Sequence, residues 1–217
     1  KSLFIGFETI NRDNLKQCRK TQNRTEEYNQ TIAKIHQRGV MVNASMVFGF
    51  DHDDASVFPT TLDWLLENKV ETLTGHILTP YPGTVFYEKL KAERRIIDFD
   101  YRHYNTAYAV FRPKKMRASE LEEGYRWIYQ EFYSWKNIMK RLPSVTSGQL
   151  AAYLAFTLVY RKYGKSACEI GHYLGMRRVA KLAKALSYPY RKRQLHARNG
   201  VPESGCKLKM RHANPEL

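Results

Sequence analysis

Three apolar segments of the chain, residues 3–8, 40–50 and 72–79, carry polar side chains in them or directly after them. These polar side chains are Glu8, Thr9, Asn43, Ser45, His76 and Thr79. In a parallel α/β fold, ligands bind outside the carboxyl ends of the strands, because side chains and loops converge there. If the three segments are parallel strands, the polar residues near their ends are candidates for contacting a ligand.

Ordinary structural roles compete with ligand binding at each of these positions. Glu8 could cap the helix that follows it. Asn43 and Ser45 share one face of a strand by alternation, where they either reach a ligand or make hydrogen bonds inside a core. A single histidine on a strand, such as His76, is more often a hydrogen-bonded core residue than a ligand or a base. Both interpretations stay open at this point.

Metal-binding patterns are weak in this sequence. The acidic turn at residues 51–54 lacks the full spacing and the terminal glutamate of a calcium loop, so its aspartates are expected to act as turn or helix-cap residues. The three cysteines, Cys18, Cys168 and Cys206, lie far apart and are odd in number. This pattern argues against a disulfide framework and favours a reducing, cytoplasmic setting.

The first 98 residues alternate between strand and helix patterns. Apolar residues at helical spacing predict helices at residues 26–38 and 57–68, and Thr84 is expected to cap a third helix that follows it. The run at 40–50 is nearly continuously apolar, as a strand covered on both faces requires. Strand–helix repeats with short connections predict a parallel sheet with right-handed crossovers, in a fold of the α/β class.

The pattern changes after residue 98. Residues 107–112 are a candidate edge strand, and Ser119 with Glu122 suggests a capping box at the start of a helix that runs to about residue 142. Further helices are expected at 149–163 and 166–186, the first of them buried. We therefore divide the chain into an α/β part at 1–98, a mainly helical part at 99–186 and a basic, disordered tail at 187–217.

The positive charge of the chain is concentrated near its end. Residues 161–217 hold 14 Lys and Arg against 3 Asp and Glu, which gives +11 of the total net charge of +15. The basic character thus belongs to the C-terminal segment, which could contact nucleic acid, an anionic lipid surface or an acidic partner, or could simply be solvated.

The order and spacing of four segments resemble one known family. LFIGFETIN at 3–11, VNASMVFGFDHDD at 42–54 and HILTPYPGT at 76–84 are similar to the fourth, fifth and sixth strand motifs of the radical S-adenosylmethionine partial barrel. Residues 104–134 resemble a domain of unknown function that commonly follows this core in cobalamin-binding members. The resemblance covers roughly residues 1–142 and implies the second half of a parallel (β/α) partial barrel.

The resemblance implies roles for the candidate residues. Polar residues at the position of Glu8 and Thr9 bind the ribose hydroxyls of S-adenosylmethionine in the family, and a carboxylate suits this because it accepts from two hydroxyls at once. The second strand is similar to a G-x-I-x-G pattern that embraces the adenine, with Ser45, Val47 and Gly49 at those places and Asn43 on the same face. Ser45 replaces a usual glycine. On the third strand, the backbone of Leu78 and Thr79 would lie beside the adenine.

The family's iron–sulfur cluster is held by a Cys-x3-Cys-x2-Cys loop, which this sequence lacks. The chain also begins in a strand pattern, so we expect further sequence upstream of Lys1, with the cluster loop and a cobalamin domain. The implied reaction is methyl transfer or other radical chemistry on an unactivated carbon of an unknown small or lipid-like substrate. The chain alone is expected to be inactive.

Two alternatives come from the basic C-terminal segment. Residues 167–186 loosely resemble a helix-turn-helix, with Gly175 at the turn, although Lys181 and Lys184 stand where apolar contacts belong. This segment would bind DNA. Alternatively, the tyrosines and basic residues from Tyr160 to Tyr190 would suit an anionic membrane surface.

Overall fold

The computed structural model describes residues 1–17, 25–143 and 149–163. The strands and helices in these ranges are β1 (Ser2–Glu8), α1 (Arg12–Gln17), α2 (Thr25–Gln37), β2 (Met41–Phe48), α3 (Val57–Glu67), β3 (Thr72–Ile77), α4 (Val85–Ala92), a 3-10 turn (Tyr101–His103), α5 (Ala118–Phe132), α6 (Trp135–Lys140) and α7 (Leu150–Tyr163). The predicted strands and the helices of the first 98 residues lie within one or two residues of the expected places. Helix α1 is the helix after Glu8 that the sequence analysis anticipated without giving its bounds.

The three strands form one parallel sheet in the order β1-β2-β3. Ser2 pairs with Met41 at one end, and Phe48 pairs with Ile77 at the other. The prediction of an α/β fold with a parallel sheet is confirmed. Three strands do not close a barrel, so the partial barrel itself stays a prediction.

One face of the sheet is packed against helices. Its side chains share a continuous apolar core with α2, α3 and α5: Phe7, Val42, Ala44, Met46, Phe48, Leu73 and Ile77. Burial of this much aliphatic and aromatic surface is the main force that holds helices onto a sheet.

The opposite face of the sheet is polar. By strand alternation it carries Asn43, Ser45, Val47, Thr74 and His76, most of them only partly buried. At the amino end of this face, Phe156 of α7 lines a small pocket together with five residues at the starts of the strands. Toward the carboxyl end, Val47 and His76 of this face are only partly buried. This part of the face is a candidate place for a ligand.

Helix α5 seals the outer edge of β3. Tyr129 and Tyr133 follow each other at a spacing of four residues, so both hydroxyls reach the same strand. The backbone N–H of Gly75 donates to the Tyr129 hydroxyl (2.7 Å), and that of Leu73 donates to the Tyr133 hydroxyl (3.2 Å). The N–H of Ile77 donates to the carbonyl of Thr106 (2.7 Å). Side chains and a loop thus take the positions that a further strand would need.

The predicted start of α5 is wrong in detail. The helix is preceded by Arg117, whose backbone N–H donates to the carboxylate of Glu120 (2.7 Å). Ser119 and Glu122 are therefore not the capping pair. Glu122 instead accepts from the backbone N–H of Ala109 (3.0 Å), which ties the helix to the preceding loop.

The single long helix expected up to residue 142 is two helices. Ser134 interrupts it, and its hydroxyl caps α6 by accepting from the N–H of Asn137 (3.3 Å). Arg141, which is 1% exposed, then donates to the carbonyl oxygens of Val70 (2.9 Å) and Phe132. The break lets α6 turn back toward the amino end of β3, so that Arg141 supplies a donor to the carbonyl of Val70 there and to that of Phe132 at the end of α5.

The expected strand at residues 107–112 is reduced to one antiparallel bridge between Ile96 and Phe111. The N–H of Ile97 also donates to the carbonyl of Val110 (3.0 Å). Residues 97–110, here named the rim loop, are thereby closed at their base. The strand prediction fails because Val110 and Phe111 pack into a second core with α4, while the backbone of the segment pairs with residues 96 and 97 rather than with the sheet.

Helix α7 forms where it was expected, but the prediction that it is buried is only half right. Tyr153 and Thr157 are fully buried, whereas Phe156 and Leu158 are 40% and 43% exposed. The helix expected at 166–186, the helix-turn-helix at 167–186 and the tail at 187–217 lie outside the described residues. Among the described residues, no helix has the length and apolarity to cross a bilayer.

Candidate cofactor-binding rim

The carboxyl ends of the three strands lie level with one another. Val47 pairs with His76, and Glu8 pairs with Met46 after an irregularity at the end of β1. The N–H of Leu78 donates to the carbonyl of Phe48 (2.8 Å), which continues the ladder past the end of β3. The structure therefore brings the ends of all three predicted motifs to one edge of one sheet.

Glu8 has an unusual backbone. Its φ is 67°, in the left-handed region that non-glycine residues seldom adopt and that is often found at functional sites. Its carboxylate oxygen lies 3.0 Å from the place where a Cβ of Gly6 would stand, so the missing side chain at Gly6 leaves it room. The cap of α1 is supplied by Asn11, whose side-chain oxygen accepts from the N–H of Asp13 (2.9 Å).

Gly49 begins the turn after β2 with a φ of 100°, which suits glycine alone. Asp53 organises this turn, because its carboxylate accepts from the N–H groups of Gly49 and Phe50 (3.0 Å each) and from the side-chain amide of Asn14 (2.6 Å). Asp53 is 1% exposed, and burial raises its pKa from 3.8 to about 6 despite these hydrogen bonds.

The other two aspartates of the acidic turn differ in role: Asp54 makes a turn hydrogen bond, as predicted, whereas Asp51 is a buried partner of basic side chains. Asp51 pairs with Arg95 (2.8 Å) and Lys114 (3.0 Å). Asp54 accepts from the backbone N–H of Ser56 (2.8 Å), and this bond together with that from the Ser56 hydroxyl lowers the pKa of Asp54. The described part of the chain contains no cluster of three or more residues that could hold a metal ion.

Four predicted site residues lie less directly at the rim. Thr9 is 2% exposed and its hydroxyl accepts from the N–H of Asn11 (3.1 Å), while the Thr79 hydroxyl donates to the carbonyl of Ile77 (3.0 Å). Ser45 is 7% exposed on the polar face. Asn43 accepts from the Thr74 hydroxyl (2.9 Å). It lies four residues before Val47, which places it about 13 Å from the rim, since a strand advances about 3.3 Å per residue. Glu8, Val47, Gly49 and Leu78 are the predicted residues that reach the rim itself.

His76 stands on the polar face beside Val47. Its Nδ1 lies 3.1 Å from the hydroxyl of Thr106, in the rim loop. Burial lowers the pKa of His76, and this effect exceeds the opposing influence of the Glu8 carboxylate. The imidazole is therefore neutral at physiological pH. Sequence reasoning missed Thr106, because no local pattern announces a residue that reaches the sheet from a loop thirty positions away.

The described part of the chain is an α/β protein with a parallel sheet. At the carboxyl ends of its strands, the carboxylate of Glu8 stands near the apolar residues Val47 and Leu78. No family model matches the chain. It is similar to curated methyltransferases: it is 35% identical over 140 residues to bacteriochlorophyllide d C-12(1)-methyltransferase of Chlorobaculum tepidum, and 24% identical over 140 residues to the C-8(2)-methyltransferase of the same organism. It is also 23% identical over 109 residues to hopanoid C-2 methylase of Rhodopseudomonas palustris.

The matched regions cover 64%, 64% and 50% of this chain, but the chain spans only 30%, 31% and 21% of the respective relatives. The homologues are methyltransferases, and none of these names indicates DNA binding. The DNA-binding alternative therefore receives no support.

Proposed function

We propose that this chain forms the second half of a radical S-adenosylmethionine partial barrel in a methyltransferase, and that its rim forms part of the adenosine wall. The observation that carries the proposal is the common edge formed by Glu8, Val47–Gly49 and Leu78 on three parallel strands. The similarity to methyltransferases supports the reaction class. The polar, partly open face of the sheet would be the inner face of the barrel.

The residues at the rim fit an adenosine group chemically. The carboxylate of Glu8, which lies beside Gly6 near the end of β1, would accept from both ribose hydroxyls. Val47 and Leu78 would offer apolar contact to the base, and the buried Asp53 fixes the turn at Gly49 beside them. When bound, S-adenosylmethionine would supply the transferable methyl group and the precursor of a carbon radical.

The iron–sulfur cluster and cobalamin would be held by another part of the protein. Iron–sulfur clusters are bound by cysteine thiolates, and the described residues contain no cysteine. These residues therefore do not fit a cluster. In this proposal the cluster loop and the cobalamin domain belong to a preceding N-terminal half. Further strands of the barrel would pair with β1, because β3 is sealed on its outer side by α5 and Thr106.

The substrate class follows the relatives' names. Bacteriochlorophyllides and hopanoids are both large, apolar, polycyclic molecules, and we propose that the methyl acceptor of this protein belongs to the same broad class. A saturated carbon of such a molecule is unactivated, which is why radical chemistry would suit its methylation. The other proposed partner, an anionic membrane surface at the basic C-terminal segment, would bring the protein to lipid-like substrates.

Titration of the isotopically labelled 217-residue chain with millimolar S-adenosylmethionine, followed by amide NMR, tests the adenosine wall. The amide signals of Gly6, Glu8 and Gly49 should shift, since they surround the proposed ribose and base. In the variant Glu8→Gln these shifts should shrink, because the amide accepts from hydroxyls less strongly than a carboxylate does. Glu67→Gln, at the end of α3 and away from the rim, is the matched control and should behave like wild type.

Shifts that spread evenly over the sheet, or that are equal in wild type and Glu8→Gln, would contradict the proposal. The same titration on a longer product that includes the upstream sequence should give tighter binding at the same amides.

A further inference from the structure

The rim loop exposes large apolar side chains. Ile97, Phe99, Tyr101 and Tyr108 are 41%, 64%, 65% and 45% exposed. Single exposed apolar residues are common on protein surfaces, but four on one loop are a group that calls for an explanation.

The exposure is not a result of poor packing within the loop. The carboxylate of Asp98 contacts Nδ1 of His103 (2.6 Å) and accepts from the N–H of Asp100 (2.8 Å). The Tyr104 hydroxyl donates to the carbonyl of Asp98 (2.7 Å), and the Tyr104 ring is buried in the second core. The loop is thus held by its polar groups and by the buried side chains of Tyr104, Ala109 and Val110, while Ile97, Phe99, Tyr101 and Tyr108 stay exposed.

The loop contacts the rim through Thr106. Thr106, with a φ of 68°, accepts from the N–H of Ile77 through its carbonyl and contacts His76 through its hydroxyl. Across the edge of the sheet the order is therefore Glu8, Val47, His76 and then Thr106 of the rim loop. A nucleoside held at Glu8 and Val47 would have the rim loop on the β3 side.

We propose that the rim loop is the subsite for the methyl acceptor, and that it binds the flat face of a large polycyclic molecule through Phe99, Tyr101 and Tyr108. This inference rests on the proposed function and assigns the acceptor to a place in it. Aromatic side chains suit this ligand, because they offer large rigid surfaces that lose little conformational freedom on binding. Asp98, Asp100 and Arg102 pair with neighbours inside the loop, so the surface offers contact area rather than an unpaired charge.

The test uses chlorin e6, a water-soluble tetrapyrrole, titrated into the 217-residue chain and followed by its fluorescence. The double variant Phe99→Asn/Tyr101→Asn should bind at least about tenfold more weakly than wild type, since two exposed aromatic contacts are lost. Met139→Asn is the matched control. Met139 is 60% exposed on α6, which lies toward the amino end of the sheet, and its replacement should leave the affinity unchanged.

Equal chlorin affinity in all three proteins would overturn the proposal, as would an equal loss in the control. Binding to phosphatidylglycerol vesicles is measured in parallel. If the loop variant loses vesicle binding but keeps its chlorin affinity, the loop is a membrane contact and the proposal is wrong. The amide NMR spectrum of each variant shows whether it is folded.

Failure here is distinguishable from failure of the adenosine wall. The S-adenosylmethionine titration is repeated on the loop variant, where the shifts at Gly6, Glu8 and Gly49 should persist. If these amide shifts persist but the loop variant binds chlorin e6 as tightly as wild type, the proposed acceptor subsite is wrong and the proposed adenosine wall is retained. If they are absent already in wild type while chlorin binding depends on the loop, the loop remains a polycycle-binding site without the proposed cofactor.

Discussion

Replacement of Asp53 by Asn should change how the stability of the protein depends on pH. The pKa of Asp53 is raised from 3.8 to about 6 by burial. Between these two pH values the folded protein holds a proton that the unfolded chain has released, so the free energy of unfolding falls as the pH rises through this window. The difference between the two pKa values corresponds to about 3 kcal/mol.

The measurement is urea unfolding of wild type and Asp53→Asn at intervals from pH 4 to pH 7.5. The free energy of unfolding of wild type, relative to the variant, should fall by about 2 kcal/mol between pH 4 and pH 7, because part of the full difference is already lost at pH 4, and should then stay level. The variant also places an amide donor opposite Asn14 or the backbone N–H groups at Gly49 and Phe50. That cost is independent of pH and cancels in the slope.

Asp54→Asn is the control for this experiment. Hydrogen bonds from Ser56 lower the pKa of Asp54. Its contribution to the free energy of unfolding therefore rises with pH up to about pH 4 and should be level in the measured window. The reasoning is refuted if wild type becomes more stable relative to Asp53→Asn as the pH rises from 4 to 7. In that case the three hydrogen bonds to the carboxylate would outweigh its burial.

Three further substitutions test the packing around the sheet by urea unfolding. Tyr129→Phe should lower stability by about 1–3 kcal/mol and speed amide exchange at Gly75, because that N–H loses its acceptor; unchanged exchange would contradict the sealed edge. Gly124→Ala should destabilise by about 1–3 kcal/mol, although alanine favours helices, because the added Cβ would overlap the ring of Phe58; a gain in stability would refute this. Arg141→Met should cost more than about 3 kcal/mol, since buried carbonyls lose their donor; a cost below 1 kcal/mol would show that they find others.

The strands and early helices could be predicted from the sequence because their signals are local. The apolar run at 40–50 and the helical spacing of Tyr28 and Ile32 place each element without reference to the rest of the chain. The parallel arrangement follows from their alternation. Thr84 was also predictable as a cap, and its hydroxyl does accept from the N–H of Tyr87 (3.2 Å).

The rest depends on contacts that no local pattern contains. The helix breaks at Ser134, between α5 and α6. The sequence did not indicate this break, because the hydrophobic spacing of α5 continues to Trp135. In the structure Trp135 is 53% exposed and so does not continue the buried stripe. At the rim, Glu8 and Gly49 were identified, whereas Asp53 was assigned only to the turn. Burial raises its pKa and the hydrogen bond from Asn14 of helix α1 opposes this rise, and no local pattern in the sequence signals either effect.

The tyrosine-lined side of β3 limits how the sheet can grow. A fibre that grows by pairing of sheet edges needs two unpaired edge strands in each molecule, so that every molecule can pair with one neighbour on each side. In this protein the hydroxyls of Tyr129 and Tyr133 occupy one of the two, while Leu3 and Phe4 on β1 are 47% and 64% exposed at the other. If the 217-residue chain self-associates through its sheet, it should therefore form dimers in which the β1 strands of two molecules pair edge to edge, and not fibres.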